Sequence, residues 1–149
     1  MFRKILVPLD GSPAAEQILP KLREIANGGR EVHLLRVANA SQLPGVDPAE
    51  LQVNVLKEAE EYLAALEARL REEGVRVESH VRYGHPAEEI LDHVRHRNYD
   101  LIAMTTHGRS GVSRLLMGSV TESVIRGATV PVLVVRAAGG AVTDAVPSG

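Results

Sequence analysis

One alternation, repeated along the whole chain, most constrains its fold: a short apolar run, then a longer stretch with apolar residues at helical spacing. The runs are Lys4–Leu9 (KILVPL), Glu31–Ala38 (EVHLLRVA), Val75–Arg82, Tyr99–Thr105 (YDLIAMT) and Val130–Arg136 (VPVLVVR). Strands separated by helical stretches of this length must cross over and return in the same direction, so the pattern predicts a parallel sheet with helices on both faces. Within 149 residues, right-handed crossovers favour a single-domain, open five-stranded α/β sheet over a barrel. No internal repeat and no second domain interrupt the pattern.

The helical stretches carry their own start and stop signals. Ser12 and Pro13 suit the cap and first position of a helix whose inward residues are Ala15, Ile18, Leu19, Leu22, Ile25 and Ala26. Pro20 predicts a kink inside it, and Asn27-Gly28-Gly29 its end. Asp47-Pro48-Ala49-Glu50 reads as a capping box before a long amphipathic helix with Leu51, Val55, Ala59, Tyr62, Leu63, Leu66 and Leu70 on one face, stopped at Gly74. Gly84-His85-Pro86 opens a third helix, with Ala87, Ile90, Leu91 and Val94 inward. A fourth, Ser119–Arg126, ends at Gly127. The alternation of Val75, Val77, Ser79 and Val81 with polar residues predicts a half-buried edge strand. His93 and His96 stand three apart, a spacing that metal sites use, but Arg95 and Arg97 around them predict a solvated basic helix end. Residues 138–149, without periodicity, are expected to be a disordered tail beyond a domain of residues 1–137.

Composition removes several function classes. A net charge of −2 argues against a generic nucleic-acid or anionic-membrane binder. One Phe, three Tyr and no Trp leave no aromatic platform for stacked bases. The absence of cysteine excludes disulfides and thiolate metal sites. The apolar run Ile5–Leu9 is far too short for a signal segment or a membrane span, so the expected location is the cytoplasm, with neither nucleic acid nor membrane as partner.

In open parallel sheets ligands sit beyond the carboxyl ends of the strands, where the winding reverses. Asp10 leaves the end of the first strand, and the stretch Thr105–Thr121 leaves the end of the fourth. That stretch holds Gly108, Gly111 and Gly118, which free backbone N–H groups to converge on an anion, and Ser119, read as the cap of the fourth helix within the box Ser119-Val120-Thr121-Glu122. The same glycines would equally serve a plain surface loop. His107 has no evident partner and reads as structural or as a neighbour of a phosphate. Asp10 reads as a ribose- or metal-side ligand, with a simple turn aspartate as the bland alternative.

The block MTTHGRSGVSRLLMGSVTE, followed by VPVLVV, resembles the nucleotide-binding subgroup of the universal stress protein family, as do the VPLDGS end of the first strand and the GHP start of the third helix. The likeness runs from about Phe2 to Arg136. The subgroup's pattern is Gly, two residues, Gly, nine residues, then Gly and Ser or Thr. Gly108, Gly118 and Ser119 match it, and Thr105 stands where the first glycine would be. The resemblance implies the strand order 3-2-1-4-5, ATP with Mg2+ or Mn2+ in the crevice, and a homodimer through the fifth strand, Val130–Arg136. By position, Pro8, Leu9 and Asp10 would line the adenosine side, Asp10 near the ribose or the metal. Val37 and Met104 would meet the adenine, with Thr105 on the nucleoside side. Gly108, Gly118, Ser119, Val120 and Thr121 would hold the phosphates, with Arg109 adding charge.

The function expected is therefore an ATP-binding regulatory dimer in a stress response. A slow ATPase or phosphotransfer enzyme and a nucleotide-free dimeric adaptor are the alternatives. The chain lacks the Gly-Lys-Ser/Thr of a P-loop, so at most weak hydrolysis is expected. A phosphoacceptor receiver would need a carboxylate where Arg82-Tyr83-Gly84 stands, and LDGSP is not the glycine fingerprint of a dinucleotide oxidoreductase.

Overall fold

The computed structural model describes residues 2–39, 44–107 and 118–137. Its five strands are β1 (Lys4–Leu9), β2 (Glu31–Ala38), β3 (Arg76–Tyr83), β4 (Leu101–His107) and β5 (Val132–Ala137). All pair in parallel, in the order β3-β2-β1-β4-β5, as expected. The helices are α1 (Leu19–Ile25), α2 (Pro48–Glu72), α3 (Pro86–Arg97) and α4 (Ser119–Gly127).

The first two strands have the bounds the sequence predicts; the last three begin one or two residues late, for local reasons. Val75 belongs to the end of α2: its N–H reaches Leu70 O at 3.0 Å while Gly74 N–H reaches Arg71 O at 3.0 Å. With Gly74 at φ 86° this is a Schellman stop, and Leu70 and Val75 complete it by packing in one apolar cluster. Before β4, Asp100 is committed to the base of the sheet. Its carboxylate accepts the N–H groups of Arg3 and Lys4, each at 2.9 Å, and its own N–H donates to Lys4 O. Those two donors hold its carboxyl below the usual aspartate range. Before β5, Pro131 offers only its carbonyl, to Ile102 N–H.

The kink predicted at Pro20 takes the form of a change of helix type. Ala15–Ile18 is a 3-10 turn, and α1 begins at Leu19 with Pro20 in its first turn, where a missing N–H costs nothing. Ser12 does cap this segment, its Oγ accepting from Ala15 N–H at 3.1 Å. Asp47 caps α2 by accepting from Ala49 N–H at 3.1 Å. The cap expected of Ser119 is corrected: Gly118 before it already has helical dihedrals (φ −63°, ψ −42°), so Ser119 lies inside the helix, and among the described residues no side chain caps that end.

Two apolar clusters sandwich the sheet. On one face Ile5, Val7, Leu34, Leu101 and Ala103 meet Ile18 and Leu22 of the 3-10 turn and α1 and Leu63, Leu66 and Leu70 of α2. On the other, Leu6, Leu35, Ile102 and Met104 meet Ile90 and Val94 of α3 and Val124 of α4. Helices α3 and α4 approach closely at Gly127, where any Cβ would collide with the Leu91 side chain.

His93 corrects a second expectation. It is 2% exposed, on the sheet side of α3, with Nε2 3.1 Å from the Tyr99 hydroxyl. Burial pushes its pKa down to about 4. Only His96 belongs to the solvated helix end, donating from Nδ1 to Asp92 O. The two histidines therefore share no metal. Among the described residues no helix is long and apolar enough to cross a membrane. The expected tail, 138–149, lies outside the described residues.

Candidate functional site

The sheet is paired least where its winding reverses. β1 and β4 share two register pairs, Ile5 with Leu101 and Leu6 with Ile102, whereas β1 and β2 stay paired from Lys4–Glu31 to Leu9–Arg36. Beyond Leu6 and Ile102 the face under α3 and α4 opens into a cavity of about 260 Å³. Period-two alternation sends Pro8 of β1, Leu35 and Val37 of β2 and Met104 of β4 to this face. Leu9 and Asp10 form its rim, and Pro86, Ile90 and Val120 close it from the helices. Six of these nine, Pro8, Leu9, Asp10, Val37, Met104 and Val120, are residues the sequence nominated. Leu35, Pro86 and Ile90 join them, which the sequence alone reads as strand core, helix start and inward helix residue. The signal was available: Leu35 lies two residues from Val37 on one strand, and Pro86 opens the helix above it.

At the rim, Asp10 orders its own turn. Its Oδ1 accepts from Ser12 N–H at 2.9 Å and from Ser12 Oγ at 2.6 Å. Gly11 follows with φ 88°, and a Cβ there would lie 2.8 Å from Arg36 Nη1. That guanidinium covers the Tyr62 ring at 4.9 Å, and the Tyr62 hydroxyl donates to Glu16 Oε2 at 2.7 Å. Burial and this bond push the Tyr62 phenol well above its usual range. A charged cluster thus backs the turn from the opposite face of the sheet, and sequence reading did not anticipate it.

Thr105 does not stand with Met104. It is 1% exposed and turned to the other face, where its hydroxyl donates to Ala15 O at 3.2 Å. Its side chain therefore ties β4 to the 3-10 turn and does not line the slot. Ser119 is exposed and lines, with His85, Glu88 and Ser123, a shallower depression that shares Pro86 and Val120 with the cavity. The N-termini of α3 and α4 both open onto that depression. Thr121, one turn in, is buried, and its Oγ1 has no hydrogen-bond partner among the described residues. Gly108 and Arg109 lie outside the described residues, as does the side chain of His107.

The arrangement offers an apolar slot of nucleobase scale, a carboxylate at its lip, and helix N-termini beyond it, where the backbone dipoles favour an anion.

Comparison with known proteins agrees with the resemblance read from the sequence. The family model described as the Universal stress protein family matches residues 1–136. Universal stress protein MJ0531 of Methanocaldococcus jannaschii is 36% identical over 141 residues, covering 91% of this chain and 83% of the relative. The solved structure of MJ0577, from the same organism, has 31% identity and a TM-score of 0.76, covering 91% of this chain and 96% of that one. A family member from Arabidopsis thaliana, solved with AMP bound, shares the fold at 19% identity and a TM-score of 0.65, covering 91% and 92% of the two chains.

Proposed function

The chain belongs to the universal stress protein family, and from that premise we propose that it binds ATP in the crevice beyond β1 and β4 and acts as a nucleotide-dependent regulatory dimer in a cytoplasmic stress response. The observation that carries the reading is the cavity at the point where the winding reverses, with six nominated residues on its walls. Pro8, Leu9, Val37 and Met104 hold the adenine and ribose. The phosphates run toward the start of α4, over Gly118, Ser119 and the amides of Val120 and Thr121, with Gly108 and Arg109 completing the cradle. Asp10 fits a cation-side role: both of its bonds among the described residues fall on Oδ1, and the carboxylate stands at the lip of the slot. A bound Mg2+ or Mn2+ would supply charge neutralisation between that carboxylate and the phosphates. A protein of the same fold solved with AMP is in keeping with this reading.

The dimer reading rests on β5. It pairs with β4 on one side only, it is an edge of the sheet, and Leu133 on it is 39% exposed. Edges of this kind are commonly covered by another chain.

The test is to denature purified protein, chromatograph what it releases, and titrate the stripped chain with MgATP by calorimetry. Val37→Trp fills the slot and lowers affinity by about 100-fold or more, while circular dichroism stays that of the parent. A variant that binds ATP as well as the parent refutes the assignment. Sedimentation at micromolar concentration gives a dimer; a monomer refutes the β5 interface.

A further inference from the structure

At the opposite end of the face that holds the cavity, three side chains on β2 and β3 converge in a way the nucleotide reading does not use. His33 on β2 is paired in register with Glu78 on β3, and His80 is the next residue of β3 on that face. His33 Nδ1 lies 2.9 Å from His80 Nε2, and His80 Nε2 lies 4.0 Å from a Glu78 carboxylate oxygen. One donor atom from each of the three falls within 4.8 Å of the other two. The two imidazoles are nearly parallel, with ring centroids 5.0 Å apart and an interplanar angle of 16°. With so short a gap between ring nitrogens, each ring presents an edge nitrogen to the other.

The geometry points to a transition-metal site, of the Zn2+ class, made by His33 Nδ1, His80 Nε2 and the Glu78 carboxylate. Donors around a tetrahedral zinc stand about 3.3 Å apart, from bond lengths of about 2.0–2.2 Å. The separations here bracket that value, so small rotations suffice. The exposed Glu78 and the edge position of His80 allow them: the side chains of His33, His80 and Glu78 are 4%, 16% and 61% exposed. That gradient also leaves the site open from the carboxylate side. The tautomer is already set. His33 Nε2 faces Glu31 Oε1 at 3.2 Å, so its N–H donates to that carboxylate and its Nδ1 lone pair is left facing His80. A carboxylate behind a ligating imidazole is the usual outer support of a bound zinc. The Tyr99 hydroxyl, 3.0 Å from the same Nδ1, is the group that competes for the lone pair when no metal is present. Two imidazole nitrogens and one carboxylate select Zn2+, Co2+ or Cu2+ over Mg2+ or Ca2+, which prefer all-oxygen shells. Three protein donors leave a fourth position for water or an added ligand. Bound there, the ion clamps the edge strand β3 to β2, and melting temperature becomes dependent on zinc.

The test uses the full chain, stripped with chelator and dialysed against ZnCl2, with CoCl2 as the spectroscopic probe. One Zn2+ per chain, visible Co2+ d–d bands of a four-coordinate site, and a zinc-dependent rise in melting temperature are expected. His80→Ala abolishes all three. Glu78→Gln weakens binding by about 10-fold, and Glu31→Gln by about 10-fold or more through the lost support of His33. His96→Ala and an MgCl2 titration leave binding and melting as in the untreated parent. His80 and Glu78 are accessible enough to replace without emptying the core, and circular dichroism verifies the fold of each variant. Zinc binding that is absent in the parent, or unchanged by His80→Ala, overturns the site. MgATP binding, measured separately on the same variants, is expected to be that of the parent.

Discussion

The two faces of this sheet are built to different ends. Under α1 and α2 the sheet side chains are packed shut: Ile5, Val7, Leu34 and Ala103 have no exposure and share one apolar cluster with the 3-10 turn and both helices. Under α3 and α4 the apolar cluster is shorter, ending in a cavity at the carboxyl ends of the strands and in a histidine–tyrosine network at the other end. One face is spent on stability. The other keeps stability to its middle and leaves both ends to polar chemistry.

The sharpest way to break this comparison is a matched pair of truncations. Leu34→Ala on the closed face should cost about 3–4 kcal/mol in urea unfolding, because a filled core cannot collapse onto the void. Met104→Ala on the open face should cost less, about 2 kcal/mol, since Met104 already borders empty space. It should also weaken ATP binding, which Leu34→Ala should leave unchanged in the folded fraction. Equal costs would mean that the faces are packed alike.

Between pH 7 and 4, acid should act mainly through the histidines of the open face. His93 is neutral when folded, with a pKa near 4 set first by burial, and burial likewise lowers that of His80. The unfolded chain takes up protons near the ordinary histidine value of 6.5, so this contribution is complete above that pH and is lost as pH falls toward 4. The loss should be on the order of 2–3 kcal/mol. Denaturant melts between pH 7 and 4 should show it, and His93→Gln should flatten the slope. The smallest effect is the most diagnostic for the site: Thr105→Val should cost about 1 kcal/mol through the lost bond to Ala15 O, with no change in ATP affinity. A large change in affinity would return Thr105 to the crevice.

Element types were legible because period-two and period-3.6 patterns encode which side of an element is buried, whereas strand order and most of the cavity wall came with the resemblance carried by the glycine-rich block. What was not legible depends on pairs of residues distant in sequence. His93 looked solvated beside Arg95 and Arg97, yet its partner is Tyr99, whose own neighbour His33 stands 66 positions away. Thr105 belonged by motif to the nucleoside side, but strand alternation puts it opposite Met104, facing Ala15. The cap assigned to Ser119 failed because the helical backbone already includes Gly118. Pro86 and Ile90 reach the cavity only because α3 crosses to the same face as Met104, a matter of topology that no local pattern states.

The brief ladder between β1 and β4 also has a mechanical consequence. Asp100 fastens the two strands at their base through Arg3 and Lys4, and the register pairs stop at Leu6 and Ile102. From there to Pro8 and Met104 no further register pair follows, and Pro8 has no N–H to donate. The seam behaves as a clothes-peg: sprung shut at one end, free to gape at the other. Spreading the jaws around a wider occupant strains side-chain packing and leaves the backbone pairing of the sheet intact.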